Sequence, residues 1–513
     1  MNQLELDLFG FGMTALHRIG LAGLWMTLRR FEDEGIQLPE GEWLLENQRI
    51  VLRWSESGPK RFLESLFEQA FRVDGNGLIW FSALGEPMQH PDAGVVLHEA
   101  VLGTFLQHGL TRKAEPKNKT TGCLAIEMDD NVYQYQYQKV YSYNHQKGVE
   151  ELVNVAGKLK DGNVKGWNFP GGTVRHNAFG VTGLSEPPER MLPLLFAPVG
   201  AIYFRIRKYT SGRRPQFALV LPDIDDLPSY ARVRWSLQRA RLPELLVSGT
   251  AEAGWRVLAL IEADGLLTRL RSPACRIVSF GTVPWVSQQK TRVEIFSVKM
   301  GVRQPLRTYR ICRQYLPNRL VKAASGDTFW SVPVTPELVA SNLALGRQWY
   351  NGFTQLMSDQ ETRNRIRYER RGLSKMVEEP LFSRQAEIIF VTACHEAWRR
   401  RLGQLGERSK RENASFQNLV RREYERWRTS LVRCKNAASL RETVMDLWSR
   451  SGSLSALRSD WKQVLPLFSD QEWRLARDLA LLALASYAPQ SRDEEAALDG
   501  TEEDTSLQEG ASA

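Results

Sequence analysis

Leu16, Ile19, Leu24, Trp25 and Leu28 recur at the spacing of one helical face, which predicts an amphipathic helix over residues 13–34 that Gly35 ends. Apolar runs at 50–54 and 78–82 and a helical stretch from Pro91 to His108 follow. From about 115 to 330 the pattern breaks into many short strands, among them 199–207, 217–221, 275–281 and 292–299, set apart by Pro, Gly and Asp clusters. After Ser331-Val-Pro-Val-Thr-Pro336 proline nearly vanishes until Pro466. Helical periodicity takes over there, opening with Leu338, Leu343, Leu345, Trp349, Phe353, Leu356 and Met357 and running to about Tyr487. The expected fold class is α+β: a mixed α/β N-terminal body with many short strands (1–332), then an all-helical C-terminal bundle (333–490) and a tail (491–513). The tail carries Asp493, Glu494, Glu495, Asp499, Glu502, Glu503, Asp504 and Glu509 and no aromatic residue, so it is expected to be disordered.

One segment changes period. From Tyr133 to Tyr143 every odd position is tyrosine except Lys139, so Tyr133, Tyr135, Tyr137, Tyr141 and Tyr143 share one face of a strand. Asp129, Asp130 and Asn131 supply turn chemistry, and 123–128 is the expected partner strand of a hairpin. The reading is an exposed aromatic ribbon with a polar back. Lys117, Asn118 and Lys119 precede it, and Asn144, His145, Gln146 and Lys147 follow. Rings flanked by cations and amides suit nucleic acid, with bases stacking while Lys and Arg hold phosphates. Tyrosines that pack on a neighbouring layer and put their hydroxyls in water fit the same pattern.

Charge sharpens the picture. The 513-residue chain has length for roughly two to four domains. Its net charge is +9, and removing the acidic tail leaves about +16 on the rest, mostly as arginine. Such a body expects an anionic polymer as partner, nucleic acid before a membrane surface. The bundle alone carries about +8, with Arg363, Arg365, Arg367, Arg370 and Arg371, then Arg399, Arg400 and Arg401, then Arg421, Arg422, Arg426 and Arg428. A basic nucleic-acid-binding face and ordinary solvated faces with Glu partners at i+4 both fit. Cys123, Cys275, Cys312, Cys394 and Cys434 are scattered with no C-x-x-C pair, which argues against a disulfide framework or zinc site and for a reducing cytosol. The N-terminus lacks a signal-peptide pattern, and the longest apolar stretch, Met191–Phe204, is short and holds Pro193 and Pro198. A soluble cytoplasmic protein with no membrane partner is expected.

Catalytic signals are sparse. Asp223, Asp225 and Asp226 could gather a divalent metal for a nuclease, but Asp-rich turns after a strand also cap backbone. His98-Glu99 lies on an apolar helix without a matching partner, and His395 beside Cys394 lacks a third member. Phosphate-cradling glycine loops are absent. The expectation is a non-enzyme with no cofactor and no metal. A metal-dependent nuclease on the Asp223 cluster is the alternative, and a basic scaffold for acidic proteins a third reading.

Two segments carry a family likeness. Leu16-His-Arg-Ile-Gly-Leu-Ala-Gly-Leu-Trp-Met-Thr-Leu28 resembles the opening of large subunits of type I CRISPR Cascade complexes, the Myxan group of the Cas eight family found in type I-A and I-B systems and in CRISPR-associated transposons. Val174-Arg-His-Asn-Ala-Phe179, with Glu186-Pro-Pro-Glu-Arg190 and Leu194-Leu-Phe-Ala-Pro-Val-Gly-Ala-Ile-Tyr-Phe-Arg205, is similar to a central block of that group. The resemblance implies a ribonucleoprotein subunit of antiviral defence or RNA-guided transposition. Its body would sit beside the 5′ handle of the guide RNA and read the short PAM duplex of the target DNA. Its bundle would resemble the Cascade small subunit and line the path of the displaced strand, and Met357 or Met376 would suit an internal start. Backbone and small subunits, and a helicase–nuclease or transposition adaptor, would be its partners. Base-edge contact then falls to Lys117, Asn118, Lys119, Asn144, Gln146 and Lys147, and to Arg175, His176 and Asn177 after Gly171-Gly172; these last three fit a structural turn equally. The tyrosines would be the wedge or stacking platform. Arg399, Arg400, Arg401, Arg421, Arg422 and Arg426 would hold phosphates.

Overall fold

The computed structural model describes residues 2–114, 121–128, 131–170, 184–206, 216–263, 274–285, 288–299, 303–322 and 328–489. Among the described residues two compact units emerge, one drawn from residues up to 299 and 320–329, the other from 303–319 and 330–489.

The first unit is built on two helices that cross through glycine. The opening helix runs Ala15–Glu34, and Gly35 ends it in the left-handed conformation (φ 68°) that a residue without Cβ adopts freely. Gly20 and Gly23 face the helix Pro188–Gly200. A Cβ on Gly20 would fall inside the Pro193 carbonyl oxygen, and one on Gly200 inside that of Ile19. The second helix ends on carbonyls with dedicated donors: Tyr203 Oη donates to Pro198 O (2.8 Å), Tyr230 Oη to Gly200 O, and the buried Arg234 Nε to Ala201 O (2.9 Å).

Around this pair lie an antiparallel sheet in the order Gln3–Asp7, Arg49–Trp54, Gly41–Leu45 and a five-stranded sheet. The larger sheet runs Leu246–Val247, Ile202–Ile206, Gln216–Pro222, Ala274–Trp285, Gln288–Lys299, antiparallel except for its first pair. Its strands Ile202–Ile206 and Gln216–Pro222 are buried nearly throughout, so they read as apolar runs rather than alternating ones.

The second unit is helical from Thr335, with long helices Gln360–Glu378, Gln385–Glu412, Phe416–Arg433 and Ala437–Arg450 around a central helix, Trp473–Ser486. The helix Arg303–Tyr315 also belongs to this unit. The central helix is buried on almost every side, as its sequence Leu-Ala-Leu-Leu-Ala-Leu-Ala requires. Its single deep charge, Asp478, accepts from Gly352 N (2.7 Å), Thr354 N (2.9 Å) and Thr354 Oγ1 (2.5 Å), and so closes the N-terminus of the short helix Phe353–Ser358. Met357 and Met376 are core residues.

The α+β class, with a helical C-terminal region, matches the sequence expectation. The acidic tail lies outside the described residues. Among the described residues no helix is long and apolar enough to cross a membrane, and all five cysteines are free.

Candidate nucleic-acid interface

The two family-like segments meet in the first unit. His17, buried in the opening helix, lies 2.7 Å from Thr14 Oγ1 through Nδ1 and 3.8 Å from Glu186 Oε1 through Nε2. Glu186 also pairs with Arg190. Burial is the main reason the imidazole is lowered to about 4, with Glu186 opposing and Arg190 adding. Arg190 Nη1 then reaches the Phe11 carbonyl (3.4 Å) at the loop ahead of the helix. There Phe11 is 97% exposed and Arg18 stands 5.2 Å from the half-exposed Phe9 ring. This aromatic tip was missed in the sequence. Its signal was Phe9-Gly10-Phe11-Gly12, where glycine at every second position leaves the rings no neighbouring side chain to pack on.

The tyrosine hairpin forms with the expected partner: Thr121–Met128 pairs with Asn131–Gln138, bringing Tyr137 opposite Gly122 and Tyr135 opposite Leu124. Its aromatic face points inward, which corrects the exposed ribbon. Tyr135, Tyr137 and Tyr143 are buried, while Gln134, Gln136 and Gln138 face out. Each buried ring finds a partner for its hydroxyl. Tyr135 Oη donates to Glu99 and accepts from Arg205 Nη1 (2.5 Å), and Arg205 lies 3.6 Å from Glu99. Tyr137 Oη donates to Asn76 O (3.2 Å) and Tyr143 Oη to Arg72 O (3.3 Å). Burying 150–250 Å² of ring with its polar tip satisfied outweighs leaving it in water. Tyr133 is half-buried, and Tyr141 stays 71% exposed.

Of the proposed base-edge residues, Lys117, Asn118, Lys119, Arg175, His176 and Asn177 lie outside the described residues. Asn144, Gln146 and Lys147 share one turn. The Gln146 amide is engaged there, accepting from Tyr143 N (3.1 Å) and donating to Phe71 O (3.3 Å), so the turn offers half-buried Asn144 and exposed Lys147 outward.

The six bundle arginines divide. Arg400 pairs with Glu396 (2.6 Å), Arg401 with Glu423 across to the next helix (2.8 Å), and Arg426 with Glu423 (3.7 Å) and Asp446 (3.4 Å). Arg421 is exposed. Arg399 and Arg422 are exposed and have no carboxylate partner among the described residues. The reading of Glu partners at i+4 holds for Arg400, while Arg401 and Arg426 find carboxylates at other spacings.

Two family models match the chain, a DevT N-terminal domain over residues 5–195 and a DevT C-terminal domain over 378–511. The chain is also 28% identical over 517 aligned positions to the CRISPR-associated protein Cas8a1/Csx13 of Myxococcus xanthus strain DK1622, spanning 94% of this chain and 88% of the relative. The chain belongs to the Cas8 family of type I CRISPR large subunits. It is a CRISPR-associated protein of antiviral defence.

In this Cas8 chain several of the residues weighed for catalysis have structural occupations. Asp226 Oδ1 accepts from Ser229 N (2.7 Å) as N-cap of the helix Leu227–Ser236, and Asp225 O accepts from Gln48 Nε2 (2.9 Å). His98 is wholly buried; its Nδ1 accepts from Ile79 N (2.9 Å), so Nε2 carries the proton that binds Gln138 O (2.7 Å). Its neighbour Glu99, read as partnerless in the sequence, is held by Tyr135 and Arg205, and burial raises its carboxyl above the usual range. His395 Nε2 lies 3.0 Å from Ser486 Oγ, and burial pushes the adjacent Cys394 thiol up to about 12, away from the thiolate a nucleophile needs. Among the described residues no group of three or more His, Cys, Asp or Glu is placed to hold a metal ion.

Proposed function

We propose that this Cas8 subunit is the non-catalytic, cytoplasmic reader of target DNA in an RNA-guided Cascade complex. It recognises the PAM duplex, helps part the strands beside the guide RNA, holds the displaced strand and recruits a downstream helicase–nuclease or transposition adaptor. The observation that carries this reading is the likeness to Cas8a1/Csx13 along nearly the whole chain. In guided complexes of this kind base pairing reads the sequence while protein reads the PAM and backbone. Asn144 and Lys147, together with Lys117, Asn118, Lys119, Arg175, His176 and Asn177, are the base-edge candidates. Tyr141 and the Phe9–Phe11 tip are the exposed ring candidates to stack or wedge, with half-buried Tyr133 beside them, stacking being worth about 1–3 kcal/mol per base. Arg399 and Arg422 are the first bundle candidates for phosphate.

The test uses the complex assembled with its guide RNA and duplexes varied only at the PAM positions. Preference for one PAM set supports the reading. Equal binding to all sets, or magnesium-dependent cutting that Asp225→Ala abolishes, overturns it. Replacing Arg399 and Arg422 together by Gln is expected to weaken binding to every duplex alike and to lower the salt slope by about 1.4, roughly 0.7 per lost single-strand phosphate contact. Loss of PAM preference with an unchanged salt slope would remove both arginines from the strand path.

A further inference from the structure

Between the helices Gln360–Glu378 and Phe416–Arg433 three guanidinium groups share one carboxylate. Arg428 Nη2 lies 2.8 Å from Glu425 Oε2 and its Nη1 donates to Met357 O (3.0 Å). Arg363 Nε and Arg367 Nη2 approach the other oxygen, Oε1, only to 3.9 and 4.0 Å. All three arginine side chains are largely covered. Arg363 Nε and Glu425 Oε1 are buried without a hydrogen bond. One carboxylate neutralises one guanidinium, so among the described residues a surplus of two positive charges is held in this part-buried cluster, where uncompensated charge is expensive. The effect reaches Arg363 itself. Burial is the main cause that pulls its guanidinium below the usual range; Glu425 opposes, and repulsion from Arg428 and Arg367 adds to the lowering.

The ordinary solution to such a surplus is an anion with several acceptor oxygens. Next to Arg367 in the helix Gln360–Glu378, Tyr368 is 70% exposed, and the exposed Arg371 and Lys375 follow it at i+3 and i+7. A ring flanked by cations on that spacing suits unstacked bases on a tracked backbone.

We propose that the cluster of Arg363, Arg367 and Arg428 binds a phosphate of a single-stranded nucleic-acid backbone, with Tyr368 as the base platform. This rests on the reading above and adds a site to it. A phosphate supplies the negative charge that the single Glu425 carboxylate does not, and guanidinium groups bind phosphate oxygens bidentately.

The experiment takes the full chain with labelled oligothymidylate and oligouridylate, and measures affinity against salt for the parent, for Arg363→Gln/Arg367→Gln, and for Glu425→Gln. The double variant is expected to bind about tenfold more weakly with a salt slope smaller by about 0.7–1.4, and its melting temperature should hold or rise because repulsion is relieved. Glu425→Gln is expected to bind about threefold more tightly, since the surplus grows. Tighter binding of the DNA strand assigns the site to displaced DNA, and tighter binding of the RNA to the guide. In parallel, sulfate at constant ionic strength should raise the melting temperature of the parent more than that of the double variant. If the parent binds neither polymer but keeps this sulfate response, the anion site stands and the strand-holding function falls. Unchanged affinity and an unchanged sulfate response in the double variant overturn the site and leave the arginines as a helix–helix fastening.

Discussion

Lowering the pH from 7 to 5 is expected to remove, through three buried histidines, about 6 kcal/mol of stability from the N-terminal unit before any opposing carboxyl is counted. His17, His98 and His145 are buried there, and desolvation lowers them to about 4, about 4 and about 3. Folded, they stay neutral through this range; unfolded, each takes a proton below about 6.5. The unfolded chain therefore binds more protons, and stability falls with pH by about 1.4 kcal/mol per unit for each histidine below 6.5. Glu99 works in the opposite direction, because burial raises its carboxyl in the folded state and it gains a proton earlier there. One carboxyl does not offset three imidazoles. The bundle contributes a single such histidine, His395 (about 4), and its buried Glu369 and Asp478, both raised by burial, oppose it. The N-terminal unit should thus lose more stability than the bundle in acid. His145 isolates the cause: it has no hydrogen bond at either ring nitrogen and sits among Phe71, Phe105, Tyr143 and Trp167. His145→Phe removes a buried unsatisfied polar ring, so it should keep or raise stability at pH 7 and flatten the acid slope by about a third. Urea melts at pH 7, 6 and 5 measure both, and an unchanged slope in the variant would refute the account.

How far the sequence carried can be seen residue by residue. Helical spacing from Leu16 to Leu28, with Gly35 beyond, located the opening helix to within two residues, because local periodicity and a left-handed cap are properties of the segment itself. The tyrosine period was read correctly as a strand, yet period two says only which side chains share a face. Which face is covered depended on Glu99 and Arg205, distant in sequence, supplying partners for Tyr135. The bundle arginines show the same limit. Spacing of i+4 anticipates Arg400 with Glu396, whereas Arg401 with Glu423 and Arg363 with Glu425 are pairs between helices that only packing reveals. Asp226 was legible as a cap, since an Asp just ahead of Leu227-Pro228 opens a helix in most settings.

Glycine offers the other large effect, and one substitution should act with opposite signs at two positions. At Gly20 a methyl group would overlap the Pro193 carbonyl oxygen and crowd Ala197 N, both backbone atoms of a helix that is itself held by Tyr203, Tyr230 and Arg234. Neither helix has a flexible side chain at the crossing to move aside, so the pair must separate and open its core. Gly20→Ala is expected to destabilise the N-terminal unit by about 3–4 kcal/mol despite the gain in helix propensity. At Gly403, inside the helix Gln385–Glu412, a Cβ meets nothing within 4 Å. Gly403→Ala should therefore stabilise the bundle by about 1 kcal/mol, through helix propensity and a less free unfolded chain. Urea unfolding followed by a probe in each unit separates the two. A Gly20→Ala variant with a parental midpoint would mean that the helices do not cross at this glycine, and with that the joint between the two family-like segments would be lost.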